Sequence, residues 1–527
     1  MSAAGHPAPR LQDIILPTAL PSPALSASPS RDRAVLLVAS AGCAMTVLDA
    51  NVVGVVLPAI ARDLNASFAD IEWVISAYVL CFAAMLLPAG SIADRYGRKR
   101  VFKLGILAFA ATSLFCGLAP SATVLYLARA GQGLSAAFLL APALAVIGNA
   151  FHQPEARNRA WAAWGGVMGL TMVLAPLLGG LIGSLLGWRW AFNINLPICV
   201  ILYLAACGCI DESREPDNRP LDTVGILFFT GSMFSATWLL IVGPAIGWRS
   251  PAVAIVAVLG LLCLSAFLRS QSRNPHPLVE LGLFRSKPFV GAVIAMFAYA
   301  STAQVMASVL PMYLQNARGQ TVLMAGASML PFALAMLVFP HVGRRLSARL
   351  DSRGVLSIGL AVVAIGNLLM ILATRQASGY PLIGSMAVLG MGGGLLNGET
   401  QKAIMSTLPH GRSGMASGIS TTSRFTGILL GFSGFGAVLA SSIHHYAEAA
   451  TQRAGLHVAA SYYDQVIAGD LERAMAAYSP AVAAVLMPIA RDSYAVGFAS
   501  AFALAAAMAA ACALAVQLLM REARPAR

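Results

Sequence analysis

The chain has 527 residues, 58% of them hydrophobic and 11% charged, with a formal net charge of +13. Soluble domains carry about 25% charged residues, so an ordinary soluble enzyme is disfavoured, and a mean hydropathy of +0.74 leaves no polar stretch large enough to surface several soluble domains. The basic residues lie between apolar runs and are not interleaved with aromatics on one face, which argues against a nucleic-acid partner and fits the loops of a membrane protein.

Residues 1–33 are rich in Pro, Ala and Ser and lack the apolar core and cleavage site of a signal peptide, so a disordered cytoplasmic tail is expected there. A membrane crossing needs about 20 mainly apolar residues. Fourteen such runs are predicted, at 34–58, 71–92, 101–119, 122–150, 160–185, 190–210, 221–243, 250–268, 288–315, 322–343, 355–374, 381–406, 413–440 and 496–520. Between the last two lies a long polar outer loop, 441–495, with His444, His445, Tyr462, Tyr463 and Asp464, and residues 521–527 form a second tail. With the N-terminus cytoplasmic, the inner segments hold 25 Lys and Arg and the outer segments 8. That bias predicts both termini on the cytoplasmic side. The eight cysteines lie in apolar segments without CxxC spacing and read as free thiols. No metal site or cofactor is expected.

A charge at the centre of a membrane helix costs about 2.5–3.5 kcal/mol, so those retained there are candidate functional groups. Four stand out: Asp49, Arg129, Glu399 and Arg424. At about 1.5 Å per residue, Asp49 lies about 22 Å from the inner end of its span and Arg129 about 10 Å from the outer end of its own, so the two can be level. The expectation is an Asp49–Arg129 pair lining a central cavity, with Asp49 as the proton carrier. Burial and a neighbouring guanidinium act on a carboxylate's proton affinity in opposite directions. A purely structural pair fixing the two helices is the alternative. Arg424 is expected near the midplane, binding an anionic group or backbone carbonyls. Glu399 lies nearer the cytoplasmic face with Lys402 three residues on, which reads as a local, partly hydrated pair, with a second proton site beside the cavity as the alternative. Asn51, Gln132, Tyr78, Tyr299 and Gln304 are further candidates for cavity walls.

After the second span comes Gly90-Ser-Ile-Ala-Asp94-Arg95-Tyr-Gly97-Arg98-Lys-Arg100. The stretch resembles the cytoplasmic G-x-L-A-D-R-x-G-R-K motif of the major facilitator superfamily. That resemblance makes Gly90, Asp94, Arg95, Gly97 and Arg98 a cytoplasmic gate latching the two halves. Leu48-Asp49-Ala-Asn51 to Pro58, Arg129-Ala-Gly-Gln132-Gly133, Trp188 to Pro197, Tyr313-Leu-Gln315 and Gly414 to Arg424 resemble, in order, the fourteen-helix drug:proton antiporter branch of that superfamily. The resemblance implies an all-α membrane protein of the major facilitator fold: a six-helix bundle at 34–210, two linking helices within 211–287, and a second six-helix bundle at 288–520. Pro176, Gly179 and Gly180 resemble the helix-packing antiporter motif, with Thr171 at a usual glycine position, and Gly179, Gly183 and Gly187 are spaced for tight packing. In the second half, Arg344 to Gly354 echoes the Asp94 turn, with Ala348 where an aspartate is expected.

These features point to a proton-driven secondary transporter of the cytoplasmic (inner) membrane, exporting small amphipathic drugs or toxins by alternating access. Its partners are then protons, a small-molecule substrate and the lipid bilayer, with a monomer as the expected state. Proton-coupled uptake and a non-transporting membrane sensor are the alternatives. The sequence has no P-loop string, so no nucleotide hydrolysis of that type is expected. Gly431-Phe432-Ser433-Gly434 fits a G-x-S-G string, but no histidine base lies on the last span, and no span offers a repeated polar pore face.

Overall fold

The computed structural model describes residues 29–151, 153–214, 222–275, 277, 279–347, 349–374, 376, 380–407 and 413–521. The first bundle consists of α1 (Pro29–Leu64), α2 (Phe68–Tyr96), α3 (Arg98–Gly117), α4 (Ala122–Ala150), α5 (Pro154–Leu185), α6 (Trp190–Asn193) and α7 (Asn195–Cys209). The linking helices are α8 (Thr223–Ile246) and α9 (Pro251–Arg273). The second bundle opens with α10 (Lys287–Tyr299), a π-helical turn (Ala300–Val305), α11 (Met306–Asn316), α12 (Val322–Ser328) and α13 (Leu330–Ser347). It continues through α14 (Ser352–Thr374), α15 (Tyr380–Leu396), α16 (Glu399–Ser406), α17 (Ser413–Arg453), α18 (Ala460–Ala468), α19 (Leu471–Ala476) and α20 (Pro480–Leu519). An all-helical chain follows from the solvent, because lipid offers the backbone no hydrogen bonds and a helix satisfies its own.

Local chemistry sets the helix ends. Ser67 accepts from the Asp70 amide while Asp70 reaches back to the Ser67 amide, a reciprocal cap that starts α2. Ser121 and Thr321 cap α4 and α12 in the same way on one side. Prolines in the first turn open α5, α9, α10 and α20, where their missing N–H costs nothing.

Thirteen stretches among the described residues are long and apolar enough to cross a membrane. The remaining predicted span, 381–406, is two helices, α15 and α16, meeting at Asn397-Gly398. Gly398 holds φ +89, a conformation open to glycine, and side-chain hydropathy cannot register such a break. The start of the chain also differs from expectation, because residues 29–33 already belong to α1. Residues 1–28, Ala348 and 522–527 lie outside the described residues. So do the side chains of Gly414 to Gly418.

The stretch 441–495, predicted as a loop, is mostly helical. α17 runs for 41 residues and α20 for 40, each about 60 Å long, or twice the hydrocarbon thickness. Both therefore continue past the membrane, and α18 and α19 bridge them. Its polar composition reflects water around helices, not absence of structure.

Within the first bundle α4 packs on α2 and α3, and α1 on α5; in the second, α14 packs on α15 and α20, and α17 on α20. α8 touches both α2 and α17 and so lies against the seam between bundles, with α9 packed on α8. On α9, Leu259, Leu261 and Leu262 are exposed, a surface suited to lipid and not to water. The bundles meet where α5 packs on α12, α2 on α17 and α1 on α11. A Cβ on Gly326 would fall 2.4 Å from the Pro176 carbonyl oxygen, and one on Gly180 3.0 Å from that of Val322. Pro176 and Gly180 thus join the two bundles, while Gly179 packs inside the first, against Val52 of α1. Gly187 takes no part in this packing: it lies past the end of α5 at φ +86 with open space around it.

Candidate proton and substrate site

Asp49 on α1 and Arg129 on α4 do meet. Arg129 Nη1 lies 2.5 Å from Asp49 Oδ2, with 2% of the Arg129 and 0% of the Asp49 side chain exposed. Desolvating two charges costs several kcal/mol each, and only good geometry with further hydrogen bonds repays it. Those bonds are present. Gln132 Nε2 and Asn195 Nδ2 donate to Asp49 Oδ1 at 2.9 and 2.8 Å. Arg129 donates to Gln132 Oε1 at 2.7 Å and, through Nε, to the Val74 carbonyl at 3.1 Å. Ser113 Oγ accepts from Gln132 at 2.8 Å, and the Tyr78 ring lies 4.1 Å from the guanidinium carbon.

The close approach of α4 to α2 makes this possible. A Cβ on Gly133 would fall 2.1 Å from the Tyr78 carbonyl oxygen, so a residue with a side chain there would push Arg129 away from Val74 and Tyr78. Asn195 and Ser113 are the members that sequence reasoning missed. Asn195 lies in the quoted Trp188 to Pro197 stretch, but a neutral amide in a span carries no cost that singles it out.

One expectation changes. The pair does not line the space between the bundles: every partner named above belongs to the first bundle, and Asp49 is sealed there. The inter-bundle recess is lined instead by Asn51, two residues along α1, with Val55, Pro176, Ser308, Phe332 and Met336. Asn51 Nδ2 donates to the Val47 carbonyl at 2.7 Å. α1 thus carries the charge pair on one face and the recess on another. Towards its C-terminal end α1 is tied across the seam, where Gln315 Nε2 donates to the Val55 carbonyl at 2.9 Å.

Arg424 of α17 is half-buried. Its Nε donates to Gln304 Oε1 at 3.0 Å and its guanidinium lies 5.9 Å from the Tyr299 ring. Gln304 sits in the π-helical turn, a distortion common at functional sites, and no acid pairs with Arg424 among the described residues. Glu399 is buried at the start of α16, with Lys402 Nζ at 3.3 Å, the local pair expected.

The Asp94 turn is built for a tight reversal. Gly97 holds φ +112, a region that side chains rarely adopt, and Arg98 Nε bonds Asp94 Oδ1 at 2.8 Å. The Arg95 guanidinium lies 5.4 Å from the Tyr96 ring, and Gly90 approaches Ala141 of α4. Glu212, just past α7, accepts from the Lys99 and Arg100 amides at 3.1 and 3.2 Å and so caps α3. Replacing Glu212 by alanine is expected to cost about 1 kcal/mol, the usual worth of a helix cap, read as a lower unfolding temperature of the purified protein. The contacts named here tie the turn to its own bundle.

Two helical bundles around an inter-bundle recess, with a buried charge cluster beside it, define the architecture of a secondary transporter. The sequence model of the Major Facilitator Superfamily matches residues 39–432. The chain belongs to that superfamily, and it is a multi-pass membrane protein. It is 32% identical over 421 residues to the Multidrug resistance protein Stp of Mycobacterium tuberculosis, covering 80% of this chain and 78% of Stp. It is 30% identical over 442 residues to the Tetracenomycin C resistance and export protein of Streptomyces glaucescens, covering 82% of each. Among solved structures, a bacterial homolog of the human lysosomal transporter Spinster, in an inward-facing and occupied conformation, aligns with TM-score 0.62 at 18% identity, over 93% of this chain and 96% of that one. A D-xylose-proton symporter aligns with TM-score 0.57 at 13% identity, over 77% and 90%.

Proposed function

We propose that the protein is a proton-driven exporter of small amphipathic drugs or toxins, working by alternating access across the cytoplasmic (inner) membrane with both termini inside. The reading counts α15 and α16 together as one crossing of fourteen. It takes the working unit to be a monomer without nucleic-acid partners. Support for the direction comes from relatives named for drug resistance and export. Support for the coupling comes from one observation: a fully buried carboxylate, Asp49, held by three donors on one face of the helix whose other face lines the recess.

A proton arriving on Asp49 removes the charge that Arg129 faces and turns one acceptor oxygen into a donor. Gln132, Asn195 and Arg129 must then rearrange, and the change is passed to α1, which carries Asp49. Because α1 is bonded across the seam at Val55, its shift alters how the bundles meet. Substrate in the recess beside Asn51 and proton on Asp49 therefore favour different arrangements of the same helix, which is the condition for coupled exchange. Arg424 and Gln304 offer a polar wall on the second bundle, and the Asp94 turn stiffens the inner end of the first.

The test uses everted membrane vesicles carrying an imposed proton gradient. Addition of a cationic, neutral or anionic amphiphile from a defined panel is expected to dissipate the gradient for at least one member. Vesicles with folded protein and no response to any member would overturn export, and dissipation only when the compound is supplied from the opposite side would indicate uptake.

A further inference from the structure

Glu72, on the second turn of α2, is a charged group in a span that neither the charge cluster nor the gate motif employs. It is 7% exposed. Its Oε1 has no hydrogen-bond partner, and no ion pair to it is found among the described residues. The carboxyl sits in the seam between bundles: a Cβ on Gly436 of α17 would fall 1.5 Å from Oε1, so the acid fills the notch that this glycine leaves. Around it lies an apolar recess lined by Leu57 of α1, Phe68 of α2, Met306 of α11, Phe432 and Phe435 of α17 and Phe498 of α20. No other residue lining that recess titrates. Of the charged groups on neighbouring elements, Asp70 of α2 bonds Ser67 and Arg473 of α19 bonds Asn65.

A lone carboxylate among aromatic and aliphatic side chains is stable there only when something positive accompanies it, because an unpaired charge cannot be buried cheaply. Two occupants meet that need: a proton, or an organic cation with an apolar body. The aromatic walls favour the second whenever there is room, since ring faces attract cations. Room exists only when α2 and α17 separate.

We infer that Glu72 is a second cation-exchanging carboxylate of this transporter, holding a proton while the seam is shut and the positive centre of a lipophilic cation when it parts. The assignment rests on the export reading and names the class the protein selects, cationic over neutral amphiphiles. One proton leaves the carboxyl for each cation that binds, so charge in the recess is conserved.

The test is equilibrium binding to the purified full-length chain, using tetraphenylphosphonium as the cation and triphenylphosphine oxide as a neutral probe of similar shape. For the wild type, tetraphenylphosphonium affinity should rise about tenfold from acidic to alkaline buffer as the proton competes less, equivalent to about 1.4 kcal/mol. In Glu72→Gln the affinity for the cation should fall at least about tenfold, with triphenylphosphine oxide binding unchanged. Glu72→Met removes a buried polar group and should fold at least as well, with the same loss. Cation binding equal to wild type in both variants, or a wild type that does not bind tetraphenylphosphonium, overturns the inference. Failure of the export reading is seen separately, in vesicles where no panel compound moves protons. Gradient dissipation by a neutral compound, unchanged in Glu72→Gln, leaves export standing while cation selection falls.

Discussion

Asp49→Asn is expected to reduce gradient-driven transport by at least about a hundredfold, a loss of about 2.7 kcal/mol of coupling, while the protein still reaches the membrane folded. Asparagine has the volume of aspartate and keeps one acceptor oxygen for Gln132 or Asn195, so the packing around α1, α4 and α7 is preserved. What it loses is the capacity to bind and release a proton. Arg129 keeps Gln132, the Val74 carbonyl and the Tyr78 ring, which limits the structural cost. Transport in proteoliposomes under an imposed pH difference measures the loss, and size-exclusion of the same preparation reports the folding. Rates within about twofold of wild type, a difference of about 0.4 kcal/mol, would move Asp49 to a purely structural role.

Arg129→Leu acts on stability first. It strips the charge partner from Asp49 and leaves a buried carboxylate with only two amide donors, and removing one member of a buried pair costs about 3–5 kcal/mol. A strongly lowered unfolding temperature in detergent is expected. The double variant Asp49→Asn with Arg129→Leu should recover most of that loss, because no uncompensated charge remains. Additive losses in the double variant would mean that the two side chains act independently, against the 2.5 Å contact between them.

The charge pair was legible in the sequence because lipid makes charges conspicuous. Two depths along two helices placed Asp49 and Arg129 level, and their side chains meet. Its surroundings were not legible, since Asn195 and Ser113 are neutral and differ little in hydropathy from packing residues. Which face of α1 turns inward was equally hidden. Asp49 points into its own bundle and Asn51 to the recess, a matter of helix rotation that long apolar spans do not encode. Glu72 was missed for a different reason: it lies at the very edge of a predicted span, where a charge reads as interfacial. Backbone events, the break at Gly398 and the π-helical turn at Gln304, leave no mark on hydropathy. The polar stretch 441–495 misled in the other direction, because long helices beyond the membrane have the composition of loops.

The central claim is that protonation of Asp49 couples the gradient to substrate movement. Comparing exchange with net transport for Asp49→Asn in proteoliposomes tests it most directly. The account predicts that labelled substrate still exchanges across the membrane at equal concentrations, while an imposed pH difference no longer drives accumulation. Accumulation driven by the gradient at the wild-type level in that variant would contradict it.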